Sequence, residues 1–504
     1  MGILKKLAAD AAIYGFSTIV ARLINYLLVA YHTRVLGPEQ YGVFTEFFGY
    51  ITLLLVLLTY GMETGFFRFA SRQDQSPNLV FSTSLVALFT TSAVFLALVL
   101  SNVHSVAAWM GYPNHANYVG QLAAVIAMDA FVSIPFARLR LQRKAKKFAM
   151  FKLINVFFYV GLNILFFTGL PQYFVEHPNS ALLQFFSPQA DVGYVFIANL
   201  LASLLTLLML LPTIFEIKIH ISLPLLKKML VYSLPLLVAG LPGIANDYID
   251  RVLFKHLFAN PDIVMQELGV YGANAKLAVL MVIFVQMFRY AAEPFFFSNA
   301  NKKDSPTLLS NVMTYFVIAA MCVFLVVALY LDAFALLMGK SFRNGTDIVP
   351  IMLIANVFFG ITFNLSMWYK ISEKTKMAVY ITLTGFIVTV AINVLFVPHF
   401  GYRAAAWAHF ASNLAMVSIS YFLGQKYYPV HYQLKKIGFY LIAGCALYGI
   451  FFALNSSFNL AAVPKFSIAT ILLTTYLGLV VWQEWSILPK KFTSKLFHVK
   501  QLKY

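Results

Sequence analysis

The residues that could do chemistry in this chain are the few charged and amide side chains set inside long apolar stretches. Arg22 and Asn25 are three apart, hence on one helical face, with Ser17 and Thr18 extending the polar strip one turn earlier. A charge at mid-bilayer costs about 2.5–3.5 kcal/mol on insertion scales, so such groups face a cavity or a partner. Two readings of Arg22 stand: a salt bridge to a neighbouring acid, or a cavity cation that meets an anionic substrate. Further on comes Asn246-Asp247-Tyr248-Ile249-Asp250-Arg251. Asp247 and Asp250 share a face. With Asn246 they could hold a sodium ion or a proton, or they could pair with Arg251 or Arg22.

Lys276 stands at the position that matches Glu46 in an internal repeat described below. These two either bridge each other, or Lys276 is aimed at phosphate. Arg289 and Glu293 are four apart and should pair along their helix. Glu63 and Glu293 occupy equivalent places, above Arg68, Arg72, Lys302 and Lys303, where they could form an inner gate together with Glu46 and Arg289. Asp129 is a candidate partner for Arg22 or Arg289, or a protonatable site.

No Walker A, HExxH, CxxC or GxSxG sequence occurs. Cys322 and Cys445 offer no disulfide or metal-ligand spacing, and the ten histidines form no ligand set. No metal and no cofactor is expected. An enzyme would have to rest on intramembrane acids alone.

The elements that position these groups are membrane helices. Hydrophobic residues make up 61% of the 504 and charged residues 11%, where a soluble domain carries about a quarter charged. Apolar stretches of about 20 residues, enough to cross the hydrocarbon layer, recur from end to end. Fourteen are counted, centred near residues 20, 51, 90, 127, 159, 202, 240, 281, 319, 358, 387, 413, 445 and 474. The first runs too long for a signal peptide and lacks a cleavage site.

An offset of 230 residues carries Tyr41-Gly42 to Tyr271-Gly272, Glu63 to Glu293, Lys144 to Lys374 and Asn163 to Asn393. Two halves therefore share one plan. Each holds six spans, an even number, so the repeats are parallel, with two further helices after them. The expected fold is an all-α integral membrane protein of about 14 transmembrane helices. Its parts are a six-helix lobe over residues 1–222, a second over 223–428, and two helices with a basic tail over 429–504. After the loop at about 171–190, Gly193-Tyr194 matches Gly401-Tyr402 at an offset of 208, so that loop is an insertion.

The net charge of +18 could suggest nucleic acid, but its distribution argues against that partner. Of the 37 Lys and Arg, 27 fall in one set of alternating loops and the termini. The positive-inside rule then places both termini in the cytoplasm. The basic run from Arg138 to Lys147 reads as a topology signal resting on anionic headgroups. Span seven carries Pro235, Gly240, Pro242 and Gly243 and reads as broken, either a packing kink or a hinge that bends as a cavity opens on alternate sides.

Arg34-Val-Leu-Gly-Pro-Glu-Gln-Tyr-Gly-Val-Phe resembles the signature of Wzx-type polysaccharide-exporting flippases. Asp250-Arg251 and Leu268-Gly-Val-Tyr-Gly-Ala-Asn-Ala-Lys276 support it, as does a six-plus-six-plus-two plan. The group belongs to the multidrug/oligosaccharidyl-lipid/polysaccharide flippase superfamily. The resemblance implies a V-shaped pair of lobes with alternating access in the bacterial inner membrane, and no enzyme activity. It implies a polyprenyl-diphosphate-linked glycan turned from the inner to the outer leaflet for cell-surface polysaccharide synthesis. Arg22 and Lys276 match cavity cations of such flippases, so the substrate-binding candidates are Arg22, Asn25, Lys276 and Arg251. Membrane lipids and other polysaccharide assembly proteins are the further partners it suggests. Glu46, Asp129, Asp247 and Asp250 depart from a purely cationic cavity and leave open whether a sodium or proton gradient drives transport. A cation-coupled multidrug exporter and an integral membrane polymerase or glycosyltransferase are the alternatives.

Overall fold

The computed structural model describes residues 19–484 apart from 22, 73–74, 185, 188, 218–219, 300–303 and 459–460. Arg22, Lys302 and Lys303 thus lie outside the described residues, as do Ser17 and Thr18. The chain is all-helical, without a strand among the described residues. The long helices are α1 (residues 23–35), α2 (Pro38–Ala70), α3 (Pro77–Ser101), α4 (Ala116–Leu141), α5 (Ala145–Glu176), α6 (Gly193–Phe215) and α7 (Leu223–Leu257). They continue with α8 (Val264–Glu293), α9 (Ser305–Leu329), α10 (Lys340–Ile371), α11 (Met377–Phe400), α12 (Tyr402–Tyr427), α13 (Leu434–Phe458) and α14 (Ala462–Gln483).

Twelve of these are long and apolar enough to cross a membrane. The other two are α1, described only in part, and α12, whose 26 residues include Arg403, His409, Asn413 and Lys426. The protein is a multi-pass membrane protein. Local sequence sets the helix ends. Proline occupies the first turn of α2, α3, α7 and α9, where a missing N–H costs no hydrogen bond. Ser222 caps α7 by accepting from the Leu225 amide at 3.4 Å.

The 230-residue repeat is visible in the backbone. Arg143 (φ 56°) and Glu373 (φ 57°) both take the left-handed conformation, each in the turn that follows a long helix, and they are themselves 230 apart. That geometry disfavours side chains other than glycine by about 1–2 kcal/mol, so its occurrence at equivalent places marks one inherited turn.

Span seven is not broken. α7 runs without interruption for 35 residues, about 52 Å at 1.5 Å per residue, with Pro235 and Pro242 inside it. Neighbouring helices supply the packing that lets prolines persist in membrane helices. Its two ends belong to different cores. Leu225 and Met229 are buried with Met62, Phe66, Phe81 and Leu88 of the first repeat. Phe254 is buried with Leu268, Tyr271, Phe316 and Leu353 of the second. The Pro235–Gly243 stretch lies between these anchors. Helices α13 and α14 pack on α9: Tyr440, Leu447, Phe451, Ala469 and Tyr476 join the same core as Met321 and Phe324.

The two repeats touch most closely where α2 and α8 begin. Gly42 lies against the Met265 backbone, Gly269 against that of Pro38, and Gly272 against the Thr45 side chain, each so near that an added Cβ would overlap its neighbour. Small residues let membrane helices approach in this way. Gly42 and Gly272 are repeat equivalents, so the contact is pseudo-symmetric.

Candidate functional site

Next to this contact is a cavity of about 440 Å³. Its walls come from α1 (Asn25, Tyr26), α7 (Asp247, Tyr248, Arg251), α8 (Tyr271, Lys276, Gln286), α10 (Asn356, Phe359) and α12 (His409). Four of the sequence candidates, Asn25, Asp247, Arg251 and Lys276, are thus gathered at one place. Arg251 rests with its guanidinium carbon 4.6 Å from the centre of the Tyr248 ring, a cation–π arrangement that holds the charge while leaving its edge available. Asp247 and Asp250 lie within electrostatic reach of Arg251, and His409 within reach of Asp247. The site offers cations for an anion, amides and ring faces for sugar hydroxyls and rings, and one carboxylate beside a histidine.

The remaining candidates are placed as follows. Asp250 is buried and its Oδ2 accepts from the Tyr271 hydroxyl, while its Oδ1 has no hydrogen-bond partner. Asn246 is buried away from the cavity and accepts from Thr389 of α11 at 2.5 Å. Of the two readings of Glu46 and Lys276, the mutual bridge does not form. Glu46 is fully buried, accepts from Tyr112 and pairs with Lys255 at 3.6 Å, while Lys276 lines the cavity. Helical phase is the reason: α2 turns Glu46 toward α7 and the α3–α4 loop, whereas α8 turns Lys276 inward. Asp129 does not reach Arg289. It lies beside Ser203 of α6 and Lys152 of α5, within the first repeat.

Arg289 pairs with Glu293 at 3.6 Å, as their spacing requires. Glu293 also takes Lys370 at 2.9 Å, and Glu63 takes Arg140. The two acids are therefore each closed by a cation of their own repeat. Arg68 lies 3.9 Å from the centre of the Tyr232 ring, and Arg72 5.3 Å from that of Phe69. Among the hinge candidates, Gly243 faces Thr382 of α11, and Gly240 meets open space. Among the described residues no cluster of three metal-ligating side chains occurs.

A family model described as "Polysaccharide biosynthesis protein" matches residues 7–300. The chain belongs to that family. An Lsg-locus protein of Haemophilus influenzae is 22% identical over 303 residues, covering 59% of this chain and 68% of the relative. Among solved structures, the lipid II flippase MurJ in an inward closed conformation superposes with a TM-score of 0.69 at 12% identity, over 93% of this chain and 99% of that one. An inward-facing multidrug resistance MATE transporter of the MOP superfamily gives 0.66 at 14%, over 81% and 97%. At such identities these two likenesses are of fold.

Sequence reasoning passed over several residues of this polysaccharide biosynthesis family member. Lys255 and Tyr112, which hold Glu46, had no motif to mark them. Arg140 and Lys370 did carry a signal, since each is the other's repeat equivalent. The spacing of the ten histidines gives no ligand set, and the proximity of His409 to Asp247 arises only when α12 packs beside α7.

Proposed function

We propose that the chain is a flippase that moves a polyprenyl-diphosphate-linked oligosaccharide from the inner to the outer leaflet of the bacterial inner membrane, for cell-surface polysaccharide synthesis. Two lobes, residues 1–222 and 223–428, alternate access to a cavity between them, and residues 429–504 add two helices and a basic tail. The observation that carries this reading is the gathering of Arg251 and Lys276 with Asn25 in one cavity of a polysaccharide-biosynthesis family member. Charge-assisted hydrogen bonds from these cations replace part of the diphosphate's hydration, and Arg22, three residues before Asn25 in the sequence, is the remaining candidate cation. The lipid tail stays in the bilayer, and the bonds of the lipid are unchanged.

With both termini in the cytoplasm, the α2–α8 contact closes the outer side. Glu63 and Glu293 with their cations then flank the inner mouth, and α7 flexes at Pro235, Gly240, Pro242 and Gly243. Asp247, with Asp250, Asn246 and Asp129, supplies the candidates for coupling to a sodium or proton gradient. Membrane lipids and other assembly proteins are the remaining partners.

Liposomes loaded with defined lipid-linked sugars, with and without ion gradients, test this. Head groups should become accessible on the far leaflet faster than in empty liposomes, and equal rates would refute the assignment. The carboxylate of Asp247 in the cavity favours a second reading, a cation-coupled multidrug exporter, which would instead confer resistance to cationic dyes.

A further inference from the structure

Lys255 is in the last turn of α7, in the second repeat by sequence, yet its ammonium is committed to the first. Nζ lies 2.5 Å from the Met110 carbonyl oxygen, 3.6 Å from Glu46 Oε2 and 3.7 Å from the centre of the Tyr112 ring. The Tyr112 hydroxyl donates to that same Glu46 oxygen, and Oε1 is buried without a hydrogen-bond partner. The seat depends on Gly111. It has φ +79°, and a Cβ there would come within 2.9 Å of Nζ. Two further bonds join the repeats toward this end: Thr33 Oγ1 accepts from the Gly339 amide at 3.1 Å, and Arg34 donates to the Leu336 carbonyl at 3.3 Å. Here too Gly42, Gly269 and Gly272 bring α2 and α8 together.

We propose that Lys255 is a positioning residue of the transport cycle, a latch that holds the two repeats shut at this end and is withdrawn from Glu46, Met110 and Tyr112 each time they part. A buried ion pair suits the task. Its attraction is largely offset by the desolvation of both charges, so admitting water as the repeats separate restores hydration to each. Removing one partner alone strands the other charge in a dry place, which favours the parted, hydrated arrangement. Tyr112 and the Met110 carbonyl make the seat directional, so the ammonium re-engages in one register.

The inference rests on the alternating-access reading above, and its test uses no substrate, so the two fail separately. Nitroxide labels at exposed His104 of the first repeat and Ser341 of the second, in a background with Cys322 and Cys445 replaced by alanine, report the separation by pulsed dipolar spectroscopy in lipid nanodiscs. The protein as it stands should give one dominant short distance. Lys255→Met and Glu46→Gln should each raise the population of a longer distance about fivefold or more, and the double variant should add nothing to either single. Distributions unchanged in both single variants would overturn the latch and leave Lys255 a packing residue. Should Lys255→Met fail to accumulate in the membrane, Glu46→Gln, which keeps the side chain's size and its bond from Tyr112, decides the question. Absence of glycan transport by the unaltered protein would count against the flippase assignment and leave the distance result standing.

Discussion

Arg140 donates to Glu63 across 77 residues of sequence, and Lys370 donates to Glu293 across the same 77. The acids are 230 apart and so are the cations. Each pair joins the second and fourth helices of its own repeat. Both pairs are partly exposed, so each adds less than about 1 kcal/mol to stability. Glu63→Gln and Glu293→Gln should therefore leave the melting temperature within about 3 °C while slowing transport several-fold. The exchange Glu293→Lys with Lys370→Glu should recover part of the rate. Transport by Glu63→Gln and Glu293→Gln equal to that of the parent would remove the pairs from gating.

Arg251 and Lys276 share the cavity. A charge-assisted hydrogen bond is worth about 1.5–3 kcal/mol, or roughly ten- to a hundredfold in affinity. Arg251→Ala and Lys276→Ala should each lower glycan export by that order in a complementation assay, with the protein still in the membrane by immunoblot. Full export by both would place substrate recognition elsewhere.

The Tyr271 hydroxyl donates to the buried Asp250 carboxylate. Tyr271→Phe leaves Oδ2 without that donor, as Oδ1 already is, and should cost about 1–3 kcal/mol. A thermal-shift measurement in detergent should register a lowered midpoint. An unchanged midpoint would mean that water or Arg251 replaces the phenol.

Gly272 meets the Thr45 side chain so closely that no Cβ fits. Gly272→Val should prise α2 from α8 and lengthen the separation between nitroxide labels at His104 and Ser341. The same substitution at Gly161, which faces open space, serves as the control and should leave that separation unchanged.

Much of this architecture was legible in the sequence, because membrane helices announce themselves by length and apolarity and a duplicated plan repeats its punctuation. The repeat placed Glu63 and Glu293 in equivalent surroundings, and the four-residue spacing paired Arg289 with Glu293. The direction in which a charge points was not legible. Glu46 and Lys276 are repeat equivalents, yet one is buried against Lys255 and the other lines the cavity. Helical phase relative to a distant neighbour decides that, and a single sequence does not encode it locally. The prolines of α7 suggested a break because local propensity ignores packing: the helix continues through both, held by different neighbours on either side.

That arrangement of α7 carries a mechanical consequence. Leu225 and Met229 near one tip are packed into one bundle, and Phe254 near the other into its twin. Under the proposed flippase cycle, a tilt of either bundle would be carried along this one helix to the opposite face of the membrane, and the bend would fall at Pro235–Gly243, between the anchors.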